Sequence, residues 1–143
     1  MLENHVSSAL DILIKDIFLF KDEDMDNKVF RYFIRQLSQN VLSFSDENNY
    51  YKTAKFLDWY NVEDINIWFN LERVLTRKRE SLKPEILLKI MDHFANQNEG
   101  SDEYYDMYQY LFWSGHFDKV TNSLFISLGY NLFIVQGGSF LIT

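Results

Sequence analysis

A single proline, Pro84, stands in this 143-residue chain, and around it apolar residues recur at intervals of three and four. A chain with so few helix breakers and that period must form long amphipathic helices, each burying one stripe. Val6, Leu10, Leu13, Ile17 and Phe20, with Ile14 and Phe18 beside them, make the first stripe. The acids Asp22, Glu23, Asp24 and Asp26 then interrupt it, suiting a turn and the negatively charged first turn of a second helix. That helix carries Phe30, Phe33, Ile34, Leu37, Val41 and Phe44. Ser45 or Asp46 caps a third, with Tyr50, Ala54 and Leu57. A fourth is expected from near Asn61 through Ile65, Trp68, Phe69, Glu72 and Leu75 to Arg77-Lys78-Arg79. Pro84 opens a fifth in its first turn, and Ser101 caps a sixth from Asp102 to Trp113, stopped by Gly115.

Beyond Gly115 the period shortens. Residues 124–128, 132–136 and 139–142 are short apolar runs, separated by Gly129-Tyr130-Asn131 and by Gly137-Gly138. Such spacing predicts an antiparallel β-meander with a two-residue hairpin turn. The expected fold class is therefore α+β: one helix-dominated domain over residues 1–143, with about six helices and a small C-terminal meander.

Composition narrows the chemistry. There is no cysteine, which excludes thiol catalysis, a disulfide scaffold and cysteine-held zinc. His5, His93 and His116 are too far apart for an HxxxH ligand pair, and no phosphate-cradling or nucleophile-elbow motif occurs. Carboxylates one turn apart, Asp22 with Asp26 and Asp102 with Asp106, suit helix first turns better than acid–base catalysis. No enzyme, metal or cofactor is expected.

Net charge is -7, which disfavours nucleic acid as a direct partner. Cations gather only between Glu72 and Lys89, and Arg77 to Arg79 suit a helix C-terminal end. No basic n-region precedes the first apolar stretch, so no secretory signal is expected. Val120 to Thr143 is uncharged, but its Ser, Thr, Asn, Gln and Gly residues oppose membrane insertion. A cytoplasmic location without membrane contact is the expectation.

Residues 90–143 carry six acids against Lys119 alone. Within them the segment Asp102-Glu103-Tyr104-Tyr105-Asp106-Met107-Tyr108-Gln109-Tyr110 sets three acids among four tyrosines. Tyrosine supplies contact area at low entropic cost, and acids beside it steer a basic partner. Asp102, Glu103, Tyr105, Asp106, Tyr108 and Tyr110 are thus the expected partner-binding residues, with Asp22, Glu23, Asp24 and Asp26 as a second candidate surface.

In size, acidity and composition (aromatics 17%, alanine only at positions 9, 54 and 95) the whole chain resembles bacterial immunity proteins of contact-dependent growth inhibition systems. That resemblance implies an inhibitor that neutralises a basic toxin, such as a nuclease domain, by covering its cationic active site. Two alternatives share the composition. One is a phage-type inhibitor or DNA mimic, and the other a non-catalytic subunit or adaptor in a larger complex.

Overall fold

A computed structural model describes residues 2–20, 27–97, 99 and 101–113. Seven α-helices run through them: α1 Glu3–Lys15, α2 Ile17–Phe20, α3 Lys28–Asn40, α4 Glu47–Trp59, α5 Ile65–Lys78, α6 Pro84–Asn96 and α7 Asp102–Trp113. A 3₁₀ turn, Val41–Ser43, extends α3. No strand occurs among the described residues, so the α+β expectation is corrected to a helical architecture. The physical reason is that the apolar residues of these segments recur at the helical period and each stripe is buried as one face of a helix. The meander expected at 124–142 lies outside the described residues, as do the Gly115 stop and the acids Asp22, Glu23, Asp24 and Asp26.

Packing divides the chain into two compact units, Met1–Val74 and Leu75–Thr143, with the division falling inside α5. In the first unit, α1 lies against α4. Val6 and Leu10 bury the α1 stripe, Lys52 bridges to Asp11 at 2.9 Å, and the Tyr60 hydroxyl donates to the Leu13 carbonyl at 2.6 Å. Burial first, and then the negative charge of Asp16, push the Tyr60 phenol above its ordinary pKa. It therefore stays protonated as that donor. The apolar run expected to continue to Phe20 breaks at Asp16, and the short α2 leaves Phe18 90% exposed.

Helix α3 starts on Asn27, whose side chain accepts the Val29 N–H at 2.8 Å, and its first turn holds no acid. Its buried face (Phe33, Ile34, Leu37) meets an aromatic cluster. Phe33 stands edge-on to Phe56 at 5.5 Å, and Phe56 lies 4.9 Å from Tyr60. Asp46 caps α4 by accepting the Asn48 N–H. The end of α4 is a Schellman motif: Val62 N–H donates to Leu57 O, Asn61 N–H donates to Asp58 O, and Asn61 takes φ 50°. Only after that turn does α5 begin, at Ile65 rather than near Asn61.

In the second unit, α6 opens with Pro84 at its first turn and buries Leu87, Leu88, Ile90, Met91, Phe94 and Ala95. Proline fits there because its missing N–H would have no intrahelical partner. α7 packs on α6. No helix among the described residues is long and apolar enough to cross a membrane.

Candidate functional site

The spacing of α7 determines what it can present. Tyr104, Met107 and Leu111 recur at three and four residues, and all are buried. Tyr104 anchors the helix: its hydroxyl donates to the Met91 carbonyl at 2.6 Å and its ring lies 5.6 Å from Phe94. The Thr76 hydroxyl, in the last turns of α5, contacts the Met107 sulfur at 3.8 Å. These contacts fix the rotation of α7 about its axis. Asp102, Asp106 and Gln109 then fall on the opposite, exposed face.

Asp102 and Asp106 are exposed and form no ion pair among the described residues. Tyr110 is different. It is half-buried, and the Arg79 guanidinium lies over its ring at 4.9 Å. The flank of the acidic face thus carries a cation–π pair in place of a free tyrosine. Glu103, Tyr105 and Tyr108 belong to the same helix, and their side chains lie outside the described part of the structure. The second candidate surface, at residues 22–26, lies outside it altogether.

The basic cluster has a structural role of the kind helix ends invite. Arg77 and Lys78 occupy the last turn of α5, where carbonyl oxygens concentrate negative charge. Ser81 also bonds there: its hydroxyl donates to the Lys78 carbonyl at 2.8 Å. Among the described residues no group of three or more His, Asp or Glu side chains is placed to hold a metal ion.

A cleft of about 640 Å³ in the first unit brings together residues that the sequence does not single out. Arg31 and Arg35, one turn apart on the exposed side of α3, form one side. Asn61, Glu63 and Asp64, on the connection between α4 and α5, form the other, with Ile34 and Val62 as apolar floor. Trp68 holds this connection, donating its indole N–H to the Val62 carbonyl at 2.9 Å. Asp64 accepts the Asn66 N–H at 2.9 Å and so caps α5. The arginine pair was visible as an i, i+4 repeat on a polar face; its acidic neighbours lie some thirty positions on, and only the fold supplies them. A smaller groove of about 400 Å³, lined by Ile12, Leu13, Val29, Phe30 and Phe33, is almost wholly apolar and offers no group for chemistry.

No protein-family model, no curated protein and no solved structure matches the chain. The chemistry of these residues therefore rests on their own geometry.

Proposed function

We propose that the protein is a small acidic, non-catalytic binding protein of the immunity type. It neutralises a basic toxin, such as a nuclease domain, by covering the toxin's cationic active site with the exposed face of α7. One observation carries this reading: Asp102 and Asp106 share an outward face with no ion pair among the described residues, on a helix whose other side is locked by Tyr104, Met107 and Leu111. Unpaired acids on a rigid element accelerate capture of a cationic surface without a conformational cost at contact. A cytoplasmic site of action belongs to the same proposal.

A phosphate-mimicking surface needs rows of acids undiluted by cations. Arg79 over Tyr110, one turn beyond Asp106, works against that alternative. The test is protection in cells. Expression of a basic nuclease toxin domain that the chain binds should arrest growth, and co-expression of the chain should restore it. Changing Asp102, Glu103 and Asp106 together to Lys should abolish the rescue while leaving the protein folded. Rescue that survives the triple change removes α7 as the contact surface.

A further inference from the structure

The cleft of the first unit carries a ligand chemistry of its own, independent of the proposal for α7. It presents both signs of charge. Arg31 and Arg35 on one side, and Glu63 and Asp64 on the other, are all exposed, and none forms an ion pair among the described residues. Opposite charges that line one cleft without an ion pair among the described residues present a ligand with two complementary ends. Guanidinium groups one helical turn apart match the two oxygens of a carboxylate. The Glu63 carboxylate, with Asp64 partly committed to the Asn66 N–H, matches an ammonium. Between them Ile34 and Val62 are 8% and 5% exposed and give an apolar floor.

The acidic side is pre-organised. Val62 is held through both its backbone groups, by Leu57 O and by the Trp68 indole, and Asn61 is fixed in the left-handed region. A rim that is already ordered loses little entropy when a ligand enters.

We propose that this cleft binds a short zwitterionic peptide of about two to three residues, a size suited to a cavity in the usual small-ligand range. Its carboxylate lies on the Arg31–Arg35 pair, its ammonium faces Glu63 and Asp64, and an apolar side chain rests on Ile34 and Val62.

Isothermal titration of the full chain tests this with three probes: the dipeptide Leu-Leu, its N-acetyl form and its C-terminal amide. Saturable 1:1 binding of the free dipeptide is expected, weakened about tenfold by either block, the loss that follows from removing one charge-assisted contact. Arg35→Ala should weaken the free dipeptide about tenfold and leave the C-terminal amide unchanged; Glu63→Gln should do the converse with the N-acetyl form. Unchanged thermal midpoints verify that these exposed substitutions leave the fold intact. Absence of saturable binding overturns the proposal. So do blocked forms that bind as tightly as the free dipeptide, which would identify the cleft as a seat for an internal loop of a protein partner. Because the blocked-probe series uses the unmodified protein, it decides the matter even where a variant is poorly folded.

Discussion

Glu3 and Ser45 are 42 residues apart in sequence, yet one carboxylate joins them. Glu3 accepts from the Ser45 N–H at 2.9 Å, the Ser45 hydroxyl at 3.0 Å, the Asp46 N–H at 3.1 Å and the Asn49 side-chain amide at 2.7 Å. A residue in the first turn of α1 thereby satisfies donors at the start of α4. Burial by itself raises the Glu3 pKa, but these bonds outweigh it and hold the carboxyl below its ordinary value. The folded state thus binds the proton more weakly than the unfolded chain. The resulting stability is complete above the ordinary glutamate pKa and is lost as pH falls through the lowered one. Glu3→Gln should cost about 1–2 kcal/mol at neutral pH, the low side for charged hydrogen bonds because solvent reaches the site. It should also flatten the acid limb of stability, as urea unfolding across pH would record. At the other end of α4, Asn61 holds φ 50°, a conformation asparagine tolerates and alanine does not. Asn61→Ala should destabilise the protein by about 1 kcal/mol, measured the same way.

At the scale of elements, the stripes of α3, α4, α6 and α7 were legible from the helical period, and α4, α6 and α7 also had readable starts, whereas α3 begins on Asn27 with no acid in its first turn. Asp46, Pro84 and the Asp102–Trp113 boundaries are the clearest cases. Periodicity failed where a local backbone event cut across it. Past the break at Asp16, Phe18 is exposed although it stands beside the expected apolar stripe. The Schellman turn at Asn61 likewise delays α5 by several residues. A side-chain bond accompanies each: Tyr60 to Leu13 near the first, and Trp68 to Val62 beside the second. In the tyrosine-rich α7, composition announced an aromatic surface, but only packing assigns roles. Tyr104 anchors and Tyr110 pairs with Arg79. Tyr104→Phe should keep the ring packing and lose the buried hydroxyl bond, lowering stability by about 1 kcal/mol in thermal or chemical unfolding.

For the whole molecule, a net charge of -7 favours a cationic partner over nucleic acid, and the expected α+β class is corrected to a helical one among the described residues. The alternation and glycine spacing that suggest a meander lie outside the described residues, and every element within them is helical. The division at Val74 and Leu75 was not legible either, because it lies inside a continuous helix with no change in composition or period. The cleft between Arg31 and Glu63 belongs to the same blind spot, since charge complementarity across distant segments has no linear signature. The net charge does have a kinetic consequence that stability measurements cannot report. Long-range attraction acts before contact, is screened over about 10 Å at moderate salt, and therefore shows in association rates. The most direct measurement is stopped-flow association with the basic toxin domain proposed as its partner, as a function of salt, for the protein and for its Asp102→Lys, Glu103→Lys, Asp106→Lys variant. Expected are a steep fall in the natural protein's rate as salt rises, a strongly slowed variant at low salt, and convergence of the two at high salt. Equal rates for both proteins at every salt concentration would contradict the proposed function.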